Sequence, residues 1–423
     1  MDKIICSLEE YDSIVNYYRP NCCSKTWYLK ELKKLSRPLT WGEWNVFNEQ
    51  GEFWDHDMIK SIITPKHINN IEYVEYNNIE NQQHIYVINV YSFSFFKDNC
   101  DIGFKCISEK YLVHIRNGQS KILMLFLYEG YSGSKGNYDL EMIEKWRIEA
   151  NLPENSIFYV SGNYLIQDLI RQKGLKFEGR PIHYFEPWNR YESDSVVNFT
   201  PLDEKYLFLS YNRNPRPQRI QFLLIMLKEK LFHKGLISLN SLIYPPNPDD
   251  NLDDYNYLKD NAPFIIDHRY DLDYNLAINI TKEDYERTFI SMVTESLADD
   301  DTLFFSEKIW KPIMVGHPFI LYGNQYSLRL LKEWGFKTFD KWIDESYDNE
   351  PDRDVRSKKI VEEISKLNNK TKEELIDIRN EMFEICKHNY DFYKIYYRQK
   401  YDESDESNTI KDVLLKLWGE IKK

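Results

Sequence analysis

The run Phe305-Ser306-Glu307-Lys308-Ile309-Trp310-Lys311-Pro312, followed by Gly316-His317-Pro318 and the apolar residues 319–322, sets a carboxylate and a lysine at the start of a predicted helix between two apolar strands. A lysine in a helix's first turn opposes the macrodipole, whose partial positive charge sits at that end. A cation there points to an anion that the lysine and the terminal N–H groups bind together. The neighbouring carboxylate is placed to accept hydrogen bonds from sugar hydroxyls. The competing reading is structural: Glu307 and Lys311 stand at i,i+4, a pair worth ~0.2–0.5 kcal/mol on a helix surface, and Ile309 and Ile313 suit core positions. Pro312 predicts a helix that is short or bent.

A second constellation agrees with the first. Leu209-Ser210-Tyr211-Asn212-Arg213-Asn214-Pro215-Arg216-Pro217-Gln218-Arg219 follows a predicted strand over 206–211. Pro217 suits the first helical position, so Arg213, Arg216 and Arg219 crowd a helix end where cations are disfavoured. Ligands of open α/β sheets bind at the carboxyl ends of strands, and arginine forks match phosphate geometry. A solvated basic loop paired with nearby acidic segments is the alternative. Two cationic strand-to-helix turns in one layer favour a phosphate-bearing ligand, and phosphate with sugar hydroxyls describes a nucleotide sugar.

The elements that must hold these turns alternate. The first ~70 residues read as irregular, with a short helix near 25–35. Strands are predicted over 84–96, 121–128, 156–161 and 182–185, with helices over 139–149 and 165–172 between them. Residues 187–203 read as a connection. The pattern then restarts with strand 206–211, helix 217–232, strand 288–294, the opening motif, strand 318–322 and helix 327–334, which Gly335 caps. From Asp354 the chain is charged and helical. We expect an α/β protein with an N-terminal domain over 1–195, a second domain over 196–352 and a helical segment over 353–423.

Bulk properties narrow the function. A chain of 423 residues exceeds what one core usually supports. The net charge of -13 disfavours a nucleic acid partner, though a local basic groove would escape that argument, and disfavours anionic membrane. The six cysteines show no CxxC pair and no zinc spacing, as expected in a reducing compartment. The segment from Met1 to Glu10 is too polar and acidic for a signal peptide, and no apolar run approaches ~20 residues. A cytoplasmic protein without a membrane partner is expected.

Other candidates are weaker. Asp299-Asp300-Asp301 contains an Asp-x-Asp that can hold a divalent cation against a diphosphate, and an acidic surface turn explains it equally well. Residues 130–136 lack the spacing of a phosphate-cradling loop. His268 reads as a surface or structural histidine, and His317 either lines the site or packs. No nucleophile-base arrangement is legible from spacing.

The segment Phe305-Ser306-Glu307-Lys308-Ile309-Trp310 resembles the Thr-Glu-Lys-Leu segment of the family 10 fucosyltransferases, and Gly316-His317-Pro318-Phe319-Ile320 resembles the turn that follows it there. The span 208–348 looks like glycosyltransferase-like proteins of large DNA viruses, bacteriophages and marine bacteria. The resemblance implies a GT-B-like architecture, two Rossmann-like domains facing a cleft, with a helical C-terminal tail. It implies an inverting transfer of a sugar, first of all fucose, from a nucleotide-diphosphate donor to a glycan or other hydroxyl acceptor. Glu307 would then bind the ribose hydroxyls, Lys308 the diphosphate, and Arg213 or Arg216 would neutralise the leaving group. Ser306 and Arg219 complete the implied donor-binding set. An inverting enzyme needs a carboxylate base from the N-terminal domain, and Glu129, then Glu186, stand at predicted strand ends. No cofactor and no required metal are implied, although a divalent metal is compatible. Phe304 stands where the family has tyrosine, and Tyr211-Asn212-Arg213-Asn214 departs from its asparagine-rich segment. Two other readings are a transferase acting on a modified DNA base, and a carbohydrate-binding or structural protein without activity.

Overall fold

In the computed structural model, residues 4–8, 71–75, 82–89, 109–126, 138–181, 206–212, 214–242, 245–248, 250–266, 280–298, 302–401 and 409–423 are described. The chain divides into two units, one of Met1–Tyr128, Lys135–Ile182 and Gln399–Lys423, the other of Glu129–Ser134 and His183–Arg398.

The first unit holds strands β1 (Ile4–Leu8), β2 (Ile71–Glu75), β3 (His84–Asn89), β4 (Ser120–Phe126), β5 (Ile157–Ser161) and β6 (Glu178–Pro181), with helices α1 (Glu109–Arg116), α2 (Tyr138–Glu149) and α3 (Ile166–Gln172). The sheet order is β2-β1-β3-β4-β5-β6, every pair parallel. Parallel neighbours need crossovers, and α1, α2 and α3 supply those from β3 through to β6. A strand covered on both faces must be apolar at every position; Ile122, Leu123, Met124 and Leu125 of β4 are all fully buried, as are Ile157 to Val160 of β5. Strands β1 and β2, five residues each, lie within or just past the stretch read as irregular. The strand expected at 182–185 lies outside the described residues, and β6 ends just before it.

The second unit holds β7 (Phe208–Tyr211), α4 (Pro217–Lys228), β8 (Gly235–Ser238), α5 (Leu252–Asn261), α6 (Lys282–Glu286), β9 (Ile290–Thr294), α7 (Glu307–Val315), β10 (Phe319–Tyr322), α8 (Ser327–Glu333), α9 (Arg353–Asn368) and α10 (Lys372–Tyr401). Its sheet is parallel throughout, in the order β10-β9-β7-β8. Strand β8 escapes the sequence reading because it has four residues and begins with glycine. The glycine is required there: a Cβ on Gly235 would stand 2.2 Å from the Phe208 ring.

The expected α/β class and two parallel sheets agree with this architecture. The helical C-terminal segment is divided. Helix α11 (Thr409–Ile421) belongs with the first unit, where Gln83 Nε2 donates to the Ile421 carbonyl at 2.8 Å and Lys121 pairs with Glu420. Helix α9 belongs with the second unit, where the buried Arg356 donates to the Ala298 carbonyl at 2.9 Å. No helix among the described residues is long and apolar enough to cross a membrane.

Candidate functional site

The strand order decides where a ligand can enter the second unit. The chain leaves β7 for β8 on one side, and leaves β9 for β10 on the other, while β7 and β9 are neighbours. Connections that part in this way open a crevice at the carboxyl ends of the two strands. The turns at those two ends are the β7–α4 turn and the β9–α7 turn, which carry the two cationic motifs.

The β7–α4 turn is stitched to β9 by buried polar groups. Asn212 is fully buried, donates from Nδ2 to Ser210 Oγ at 2.8 Å and accepts from Thr294 Oγ1. Ser210 in turn donates to the Met292 carbonyl at 3.2 Å. Gln218 Nε2 donates to the Ser296 carbonyl at 2.7 Å. Arg219, only 2% exposed, donates to the carbonyls of Asn214 at 3.1 Å and Thr294 at 3.1 Å. Its guanidinium is therefore a tie between the two turns, directed into the protein. Arg216 is the N-cap of α4, with extended backbone and no side-chain cap, followed by Pro217 at the helix start. It is half-buried, at the mouth of the crevice.

The β9–α7 turn holds the lysine. Ser306 is the N-cap of α7, and its Oγ accepts from the Lys308 N–H at 3.3 Å. This cap is the reason the helix starts at Glu307. Lys308 Nζ stands 2.6 Å from Glu307 Oε1 and 3.3 Å from each of Ser296 Oγ and Ser306 Oγ. Burial works to raise the Glu307 carboxyl, but the Lys308 charge and hydrogen bond, with the Lys311 charge, hold it below the ordinary carboxylate range. The Lys311 amine lies 5.6 Å from the centre of the Tyr211 ring, whose hydroxyl donates to Asp284 Oδ2 at 2.9 Å. An ionised carboxylate, a lysine and two serine hydroxyls thus share one helix N-terminus. Such a set can hold a phosphate and accept from sugar hydroxyls.

The far end of α7 is locked. Gly316 takes the left-handed conformation at φ 69, and the His317 N–H reaches back to the Pro312 carbonyl at 2.8 Å. Pro312 sits inside the nine-residue helix, which is short as its position predicts. His317 is buried and stands 3.0 Å from the Thr288 carbonyl and 2.9 Å from Ser291 Oγ. A carbonyl only accepts, so Nε2 carries the proton and Nδ1 accepts from Ser291. Burial, and then the Arg379 charge, push the imidazole down to about 3. Of the two roles open to His317 in the sequence, packing is the one it fills. Behind α7, Trp310 stacks on Trp334 at 6.2 Å and meets Tyr393 of α10 at 5.7 Å, which fixes the helix from its apolar side.

The structure therefore gathers Arg216, Arg219, Ser306, Glu307 and Lys308 at neighbouring strand ends. Arg213, Glu129 and Glu186 lie outside the described residues, as do His268, Asp299-Asp300-Asp301 and residues 130–136. Among the described residues, no group of three His, Cys, Asp or Glu side chains is arranged to hold a metal ion. Sequence reasoning missed Glu295, Ser296, Asn212 and Gln218. The available signal was Thr294-Glu295-Ser296, a polar triplet ending an apolar strand, where a site opens in a parallel sheet.

No protein-family model and no curated protein sequence matches the chain. Several solved structures resemble it at low similarity, among them the following two. A structure of T4 phage BGT in complex with its UDP-glucose substrate aligns over 95% of this chain and 100% of its own, at 11% identity and a TM-score of 0.34. A structure of the DNA modifying enzyme beta-glucosyltransferase, in the presence and absence of uridine diphosphoglucose, aligns over 93% of this chain and 99% of its own, at 9% identity and a TM-score of 0.34. Likeness at this level decides neither fold nor function, and the site rests on its own geometry.

Proposed function

We propose that this chain is a glycosyltransferase that takes a nucleotide-diphosphate sugar as donor. The observation that carries the reading is the coincidence of the switch point with the two cationic turns: β7 and β9 are adjacent, and their helices begin at Arg216 and at Ser306-Glu307-Lys308. In this reading Lys308, Arg216 and Arg213 face the diphosphate and Glu307 takes the ribose hydroxyls. The acceptor hydroxyl attacks the anomeric carbon, the bond to the diphosphate oxygen breaks, and the electron pair leaves on the nucleoside diphosphate. Cations aimed at that developing charge lower the barrier. The acceptor's proton goes to a carboxylate, for which Glu129 and then Glu186 are the proposed bases, with inversion at the anomeric carbon. Fucose carried on GDP is the first donor to test, by resemblance of the Ser-Glu-Lys segment.

A thermal-shift screen against UDP-, GDP- and CMP-sugars tests the donor. A stabilising hit that disappears in Lys308→Ala is expected, and no shift with any nucleotide sugar would sink the proposal. Transfer assays with the donor so found, offered to oligosaccharides and to DNA bearing a hydroxyl-modified base, then identify the acceptor class. Glu129→Gln should abolish transfer while donor binding survives.

A further inference from the structure

Glu295 follows β9 by one residue and is 1% exposed. Its backbone N–H donates to the Tyr322 carbonyl at 2.9 Å, which pins it to the end of β10. Its Oε2 accepts two N–H groups, from Ser296 at 3.3 Å and from Ser306 at 3.0 Å. One carboxyl thereby closes the mouth of the loop that joins β9 to α7. The two serines it grips are the same two whose hydroxyls stand 3.3 Å from the Lys308 amine. The Ser296 hydroxyl that accepts from the ammonium keeps its own hydrogen to donate to a ligand oxygen, while the Ser306 hydroxyl also bonds the Glu295 carboxyl. The other carboxyl oxygen, Oε1, is buried with no hydrogen-bond partner among the described residues. A buried carboxyl with one idle oxygen is costly for folding alone, which asks for a role beyond it.

We propose that Glu295 is the positioning residue of the diphosphate site: by holding the Ser296 and Ser306 N–H groups it sets the two hydroxyls and the Lys308 amine against the ligand's phosphate oxygens. This inference rests on the nucleotide-diphosphate reading above. Burial raises the Glu295 carboxyl, opposed by the Lys308 charge and the bonds from Ser306, and reinforced by the Glu307 charge. A carboxyl held toward its neutral form is matched by glutamine, whose carbonyl oxygen accepts the same two N–H groups. Alanine removes the acceptor, and aspartate withdraws it by one methylene.

The test is calorimetric binding of GDP and UDP to the full chain, with the melting temperature of each unliganded variant as the fold control. Glu295→Ala should weaken binding by roughly tenfold or more, Glu295→Asp by less, and Glu295→Gln should restore most of the affinity. In a Lys308→Ala background Glu295→Ala should cost less than in the parent chain, because part of its effect runs through the same amine. Equal binding by Glu295→Asp and the parent chain, or losses for Glu295→Ala and Lys308→Ala that simply add, would overturn the positioning role while leaving the donor site standing. Should Glu295→Ala fail to fold, the Asp and Gln variants still decide between the two outcomes. If neither diphosphate binds the parent chain, the nucleotide-diphosphate reading falls, and the positioning role with it.

Discussion

The two turns at the switch point start from similar sequence, a strand, a loop with cations and a helix, and use their charges in opposite ways. In the β7–α4 turn the Arg219 guanidinium goes inward to two backbone carbonyls. In the β9–α7 turn the Lys308 amine is held by a carboxylate and two hydroxyls at a helix start. The Thr294 carbonyl is met inside the protein by Arg219, so that tie is bound to the fold. Hydroxyls and a carboxylate can turn toward a ligand, so the lysine's partners are exchangeable. Identical charge at equivalent places in a fold thus means scaffold in one case and site in the other, and the partners decide which.

The largest test of this contrast is Arg219→Met, which keeps the stem and removes the fork. It removes the inner donor to the Thr294 carbonyl, while the Asn214 carbonyl keeps the Arg216 N–H. The cost should be about 1–3 kcal/mol, read as a lower urea midpoint for the second unit, whereas Lys308→Ala should cost less, because the Glu307 carboxylate it leaves keeps the Lys311 charge. Equal losses would erase the distinction.

The second test concerns the opposite ends of α7. His317 is held down to about 3, so the folded chain stays unprotonated there while the unfolded chain takes up a proton near 6.5. The contribution is therefore complete above about pH 6.5 and is lost as pH falls toward 3, by about 1.4 kcal/mol per unit. Urea midpoints at about pH 7.5 and about pH 5.5 should separate more for the parent chain than for His317→Gln; parallel behaviour would remove the buried neutral imidazole from the account. The smallest effect is expected at Arg216, half-buried at the α4 N-cap. Arg216→Ala should leave stability within about 0.5 kcal/mol and weaken GDP or UDP binding a few-fold, less than Lys308→Ala; unaltered affinity would assign the β7–α4 turn wholly to scaffold.

Much of this was legible from local pattern. Helices α2, α3, α4, α7 and α8 and strands β4, β5, β7, β9 and β10 fall where periodicity and capping residues indicate, within a few residues. The start of α7 near Ser306 reads from the sequence, and the structure adds that Ser306 caps it and Gly316 ends it. Strands β1, β2 and β8 were not legible although they are no shorter than β7 and β10, and Gly235 looks like a breaker until the Phe208 ring that excludes a side chain is beside it.

What the sequence determined by itself is the α/β class, the two strand-to-helix turns with their cations and the start of α7, since all of these follow from neighbours along the chain. Tertiary structure alone decided that β7 lies beside β9, that Arg219 belongs to the interior and that Glu295 holds the two serines around Lys308. The physical reason is separation. Arg219 meets a carbonyl 75 residues away and Gln218 one 78 residues away, and only the order of strands in the sheet brings such partners together.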